Sequence, residues 1–209
     1  MKIKVCGMRD AENISELIKL KPDYLGFIFY GKSKRFVTNF PKVEIPSAIK
    51  KVGVFVNETV DTIIEIVEEN KLEAVQLHGN ESPEYIEELK VLLIKKIEIF
   101  KAFSVDDNFD FSKTEPYQKM CDYLLFDTKG KDYGGNGVKF NWQVLDNYKG
   151  NLSYLLSGGI SKKDSQALMS FLNKQESKKC MGVDINSGFE IEPALKNIKD
   201  IKEFKQNLV

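Results

Sequence analysis

Eight short apolar runs, separated by segments with helical spacing, constrain this chain more than any other feature. The runs are Ile3 to Cys6, Tyr24 to Phe29, Val52 to Val56, Ala74 to Leu77, Ile97 to Phe103, Tyr123 to Phe126, Tyr154 to Leu156 and Met181 to Ile185. They recur roughly every 25 residues, and eight is the number of strands a closed parallel barrel needs. Several are apolar on successive residues, as parallel strands covered by helices tend to be. Within Asn57 to Asn70, the residues Val60, Ile63, Ile64 and Val67 follow the i, i+3, i+4, i+7 pattern, with Glu58 at the favourable end of the helix dipole. Ser82-Pro83-Glu84 is a helix start signal, a capping hydroxyl followed by proline in the first turn. Ser161 and Asp164 form a shortened capping box ahead of Leu168, Phe171 and Leu172. Pro193 is expected to open a last amphipathic stretch through Leu195, Ile198, Ile201 and Phe204, whereas Pro41 and Pro46 leave little room for a helix after the second run. No linker or break in composition interrupts the series. The expected fold is α/β, a single (β/α)8 TIM barrel over residues 1–209, with the strand C-termini as the active face. An open doubly wound sheet would carry G-x-G-x-x-G after its first strand, and Cys6-Gly7-Met8-Arg9-Asp10 has none.

Bulk composition narrows the class of ligand. The 31 basic and 31 acidic residues balance, so nothing resembles the electrostatic footprint of a nucleic-acid binder. No apolar run approaches the roughly 20 residues of a membrane span, and Met1 leads straight into a charged strand without a signal peptide. Three widely spaced cysteines fit a reducing compartment better than a disulfide framework. The expectation is a cytoplasmic protein, monomer or homodimer, that acts on a small molecule.

Three strand ends carry candidate chemistry. Cys6 precedes Gly7 where the first strand meets its loop; it is either a small apolar filler or a thiolate general base. Asp127 ends the run Leu124-Leu125-Phe126, where partial desolvation disfavours its charge and suits a proton donor; a loop-ordering carboxylate is the plainer alternative. The glycine-rich segment Tyr133-Gly134-Gly135-Asn136-Gly137 that follows has the composition of a lid, or of an idle surface loop. Ser157-Gly158-Gly159-Ile160 and Asp184-Ile185-Asn186-Ser187-Gly188 follow strands seven and eight, where barrel enzymes frequently bind phosphate through backbone N–H groups. Arg35 offers a planar fork for a carboxylate, or is a solvated basic turn. His78, the only histidine, sits in Gln76-Leu77-His78-Gly79, with a hydrogen-bonding role favoured over acid–base work. Cys121 and Cys180 precede strands and are assigned to packing. A thiol, a carboxylate and an anion cradle at strand ends point to an enzyme acting on a phosphorylated small molecule.

Taken together, these segments resemble the phosphoribosylanthranilate isomerase family of tryptophan biosynthesis. Lys4-Val5-Cys6-Gly7-Met8 is similar to that family's opening K-[IV]-C-G-[IM], and Gly26-Phe27-Ile28-Phe29 with Ser33-Lys34-Arg35 to its G-F-x-F then S-x-R. Val52 to Asn57, Val75-Gln76-Leu77-His78-Gly79, Gly134-Gly135-Asn136-Gly137 with Phe140-Asn141-Trp142, Leu156-Ser157-Gly158-Gly159 and Val183-Asp184 with Ser187-Gly188 continue in family order. The resemblance implies an Amadori rearrangement that needs neither metal nor cofactor. By that resemblance Asp127 protonates the furanose ring oxygen and Cys6 removes the C2 proton. Arg35 would hold the anthranilate carboxylate; Gly158, Gly159, Asp184, Ser187 and Gly188 would hold the phosphate, with His78 and Gly135 as further substrate contacts. Asn136, Asn141 and Asn186 depart from the family's usual residues, the first two bearing on the lid and the third on a peripheral phosphate contact.

Other readings remain. A related isomerase of histidine biosynthesis runs the same rearrangement with two aspartates, and Cys6 favours the anthranilate substrate instead. A Schiff-base aldolase would use Lys101. A non-catalytic phospho-ligand barrel would keep the anion loops and need neither Cys6 nor Asp127.

Overall fold

Strand formation follows the β-branched and aromatic runs closely. In the computed structural model, which describes residues 1–128 and 140–208, eight parallel strands pair in chain order and the last returns to the first. They are β1 (Lys2–Val5), β2 (Tyr24–Ile28), β3 (Lys50–Phe55), β4 (Ala74–Leu77), β5 (Glu98–Val105), β6 (Tyr123–Thr128), β7 (Tyr154–Leu156) and β8 (Cys180–Ile185). The barrel closes between β1 and β8, in register from Lys2 opposite Gly182 to Val5 opposite Ile185. The ladder continues one step beyond β1, where the Cys6 amide donates to the Ile185 carbonyl at 2.9 Å.

Successive side chains on a strand point to opposite faces, and this alternation builds the interior. Tyr24, Val52, Ala74, Phe100, Leu125 and Leu155, from six different strands, meet in one buried cluster that forms an apolar floor. Two residues further along, the same inward positions hold Gly26, Val54, Gln76, Ala102, Asp127 and Ser157. One further step along the strands therefore sets Gln76, Asp127 and Ser157 among Gly26, Val54 and Ala102, a partly polar layer beneath the C-terminal mouth.

Five α-helices pack outside: α1 (Ala11–Leu17), α2 (Val60–Asn70), α3 (Pro83–Leu92), α4 (Ser165–Leu172) and α5 (Ile198–Gln206). Each buries an apolar stripe, such as Ile63 and Val67 of α2 or Ile201 and Phe204 of α5. Full burial of one such side chain contributes about 1.5–3 kcal/mol. Ser82 caps α3 by accepting from the Tyr85 amide, with Pro83 opening the first turn. Ser161 and Asp164 form the expected capping box, at a short 3₁₀ turn that leads into α4.

Two helix starts differ from expectation. Asn57 has φ +51°, outside the right-handed helix, so α2 begins at Val60 with Thr59 as its cap. Pro193 does not open the last helix. It lies in the turn of a small antiparallel hairpin, β9 (Glu190–Glu192) and β10 (Leu195–Lys196), and Asn197 caps α5 instead. Proline lacks the amide a ladder needs and suits a turn, whereas the Asn197 side chain accepts from the Asp200 amide. Among the described residues, the crossovers after β2, β5 and β6 carry no α-helix; 3₁₀ turns at Phe111–Tyr117 and Trp142–Asn147 serve after β5 and β6. No helix among the described residues is long and apolar enough to cross a membrane.

Candidate active site

The polar layer opens into a pocket at the strand C-termini. Cys6 and His78, directly after β1 and β4, line it with Asp127 of β6 and Asp184 of β8, together with Ser157, Gly158 and Gly159 after β7 and Asn186, Ser187 and Gly188 after β8. Cys6, 4% exposed, follows β1 directly, and Asp127, 6% exposed, lies within β6 rather than beyond its end. The Thr128 amide donates to Asp127 Oδ1 at 2.9 Å, leaving Oδ2 at 3.3 Å from His78 Nε2. On the other side of that ring the Gln76 amide donates to Nδ1 at 2.7 Å, so Nε2 is the nitrogen that carries hydrogen toward Asp127. Gln76 Oε1 is buried and has no partner among the described residues.

Cys6 stands in different surroundings. Lys4, on the same inward face of β1, is fully buried and bridges to Asp184 Oδ1 at 2.9 Å. Burial pushes the Cys6 thiol up, and the Lys4 ammonium opposes that by charge and hydrogen bond. Burial likewise pushes Asp184 up against the pull of Lys4. Lys4 itself, which burial alone would lower, is held above the ordinary lysine range by Asp184 and Cys6. Asp184 thus belongs to β8, with its carboxylate tied to a lysine inside the barrel. The sequence expectation had it in the phosphate loop; a carboxylate so placed lines the pocket but repels an anion.

The anion cradle is backbone. Gly158 and Gly159 have φ +93° and +63°, a region that disfavours residues with a Cβ. A Cβ on Gly158 would stand 2.1 Å from Thr128 Oγ1, and one on Gly188 would stand 2.1 Å from the Ile160 carbonyl oxygen. Both loops therefore pack main chain against main chain at the pocket edge. Among the described residues the amides of Gly158, Gly159, Ser187 and Gly188 donate to no other group.

Arg35 is differently engaged from expectation. Its Nε and one terminal nitrogen donate to the two carboxylate oxygens of Glu190 at 2.8 and 2.6 Å. Glu190, on β9, also receives Lys196 Nζ at 2.5 Å. Burial would push the Glu190 carboxyl up, yet the Arg35 fork and Lys196 hold it below the ordinary range. Sequence reasoning missed Glu190 and Lys196 because nothing local marks them. Lys4 and Gln76 did carry a signal, as polar residues at inward positions of apolar strands. Asn186 lines the pocket, and its Oδ1 accepts from Lys196 Nζ at 2.8 Å, which ties the side chain to the hairpin. Asn141 caps the 3₁₀ turn at Trp142 by accepting from the Gln143 amide, as an aspartate would. Gly135, Asn136 and the expected lid lie outside the described residues. Cys121 is packed in an apolar cluster, and Cys180 opens β8. Lys101 is locked on Glu81 at 2.9 Å and on the Gly79 carbonyl at 2.7 Å, away from the pocket, which removes it as a Schiff-base lysine.

Fold and pocket define a (β/α)8-barrel protein with its polar cavity at the strand C-termini. The chain matches the family model for N-(5′-phosphoribosyl)anthranilate (PRA) isomerase over residues 3–207. It is 44% identical to the N-(5′-phosphoribosyl)anthranilate isomerase of Parabacteroides distasonis, covering 100% of this chain and 94% of that one. The crystal structure of phosphoribosyl anthranilate isomerase from Thermotoga maritima superposes with a TM-score of 0.84 at 31% identity, covering 100% of this chain and 98% of that one. A phosphoribosyl anthranilate isomerase in complex with reduced 1-(o-carboxyphenylamino)-1-deoxyribulose 5-phosphate aligns with a TM-score of 0.78 at 28% identity, over 100% of this chain and 98% of that one. This chain belongs to the N-(5′-phosphoribosyl)anthranilate isomerase family.

Proposed function

We propose that this chain converts N-(5′-phosphoribosyl)anthranilate to 1-(2-carboxyphenylamino)-1-deoxyribulose 5-phosphate, the isomerisation step of tryptophan biosynthesis. The observation that carries the reading is the meeting of Cys6, Asp127 and the two glycine loops in one pocket. Asp127 gives its proton to the furanose ring oxygen. The C1–O bond breaks as the anthranilate nitrogen lone pair moves in, leaving a Schiff base. Cys6 as thiolate removes the C2 proton, and the resulting enolamine tautomerises to the ketose, so substrate and product are isomers. His78, 3.3 Å from Asp127, orients the acid. The acid regains its proton from the C2 hydroxyl as the enolamine becomes the ketose and the Cys6 thiol returns a proton to C1.

The amides of Gly158, Gly159, Ser187 and Gly188 hold the phosphate. The buried Gln76 Oε1, still without a donor, fits a ribose hydroxyl. Arg35 reaches the anthranilate carboxylate with the terminal nitrogen that Glu190 does not use. All these groups come from one chain working as a single domain, so monomer and homodimer both satisfy the reading. A cytoplasmic location accords with its free cysteines.

Freshly prepared phosphoribosylanthranilate supplies the test. Loss of anthranilate fluorescence on adding the protein is expected, and its absence in Cys6→Ala and Asp127→Asn proteins that still bind the reduced product analogue. A wild-type protein that leaves the fluorescence unchanged would remove the assignment.

A further inference from the structure

The hairpin that follows β8 has no part in the chemistry described above, yet it places a fully buried lysine beside the first strand's turn. Lys196, 1% exposed, is held by Glu190 and Asn186, and its Nζ lies 3.3 Å from where a Cβ on Gly7 would stand. Gly7 has φ +75°, and any side chain there would also strike Arg35 Cδ and Asn186 Oδ1, at 2.6 and 2.7 Å. The bare turn next to Cys6 is what lets Arg35, Asn186 and Lys196 close over it.

The charges in this corner do not balance if every group takes its usual form. Lys4, Arg35 and Lys196 are cations, while Asp184 and Glu190 are the anions paired with them. Two carboxylates against three cations leave one positive charge buried beside Cys6. Taking an uncompensated charge out of water is costly, so the corner favours losing one proton. Cys6 is the group that can release it without breaking a carboxylate pair, since Lys196 is itself paired with Glu190. Burial pushes Lys196 down against the pull of Glu190 and pushes the Cys6 thiol up, while Cys6 and Lys196 each favour the other's charged form. Asp127 and His78 across the pocket act on the corner through Asp184 alone.

We propose that Lys196 is a positioning residue for Cys6, the counter-charge that lets a buried thiol stand as a thiolate facing the pocket. The proposal rests on the reading of Cys6 as the base. Lys196 touches no reacting atom in this scheme; it sets how much thiolate is present at neutral pH.

The test is a titration that does not depend on activity: thiolate ultraviolet absorbance against pH, with the Cys6→Ala protein subtracted. Cys121 and Cys180, both pushed up to about 12 by burial, do not interfere. Lys196→Met should raise the Cys6 midpoint by about one unit or more, the size expected for loss of an adjacent cation. Lys196→Arg should hold it near wild type. Glu190→Gln, which enlarges the positive surplus, should lower it. General damage to the fold would not move the last two variants in these directions, so they decide the matter if Lys196→Met fails to fold. In turnover, Lys196→Met should lose kcat with KM little changed. An unmoved midpoint in Lys196→Met, or a rise in Glu190→Gln, overturns the proposal. Near-wild-type turnover by Cys6→Ala overturns the base assignment instead, and the titration separates the two failures.

Discussion

The two walls of the pocket solve opposite problems. At the β1–β8 corner, Cys6 is ringed by Lys4, Arg35 and Lys196, with two carboxylates shared among them. On the β4–β6 wall, Asp127 rises from an apolar strand and meets one imidazole, with no lysine or arginine paired to it among the described residues. In the proposed reaction, the group that takes the C2 proton stands among cations, and the group assigned to ring opening ends an apolar run. The barrel strands supply the same backbone geometry to both walls; the inward-facing side chains differ, and the β1–β8 corner adds Arg35 from the loop after β2 and Lys196 from the β9–β10 hairpin.

The comparison breaks first on the reacting groups. Cys6→Ala and Asp127→Asn should each lower kcat by roughly 10²–10⁴-fold, the usual contribution of a positioned proton-transfer group, with affinity for the reduced product analogue retained. Steady-state kinetics with analogue binding as control checks this. A loss confined to one variant would mean that one wall does all the chemistry.

Stability should separate the walls next. Lys4→Met leaves the buried Asp184 carboxylate without its partner, an effect of about 3–5 kcal/mol in urea unfolding. His78→Gln, beside Asp127, should cost far less. Equal losses would show that both walls depend alike on paired charge.

How much of this contrast was legible in the sequence depends on the range of the interaction. The eight strands, the α3 cap at Ser82 and the box at Ser161 and Asp164 are set within a few residues, and all form as expected. Cys6, His78 and Asp127 were visible because each stands where an apolar run ends and its loop begins. Arg35 was read as a clamp open to substrate, and its fork closes on Glu190 from 155 residues away. No local pattern announces a partner that distant. The hairpin was missed for a related reason: Pro193 is compatible with a helix start, and the competition was decided by Asn197 and by the Arg35 and Lys196 contacts of Glu190.

A smaller effect is expected at Arg35. Arg35→Lys keeps the charge and loses the fork, so binding should weaken by about 1.5–3 kcal/mol if one charge-assisted hydrogen bond goes, mainly as a raised KM. An unchanged KM would place the substrate carboxylate elsewhere.

The smallest effect concerns acid stability. The Glu190 carboxyl lies below its ordinary value in the folded protein, so it binds fewer protons there than in the unfolded chain. Its contribution is complete above about pH 4.3, the unfolded value, and is lost as pH falls through the lower folded one. Glu190→Gln should therefore flatten the acid limb of the stability profile below about pH 4.3, read by urea unfolding across pH. An unchanged limb would mean that Glu190 remains charged in its pair at every pH tested.

The most direct test of the division between the walls uses substrate deuterated at C2. With Cys6→Ser the weakened base makes C2 proton removal limiting, so turnover should show a full primary isotope effect. With Asp127→Asn, ring opening limits, and the isotope effect should fall close to one. A large effect in Asp127→Asn, or none in Cys6→Ser, would contradict the assignment of ring opening to one wall and proton abstraction to the other.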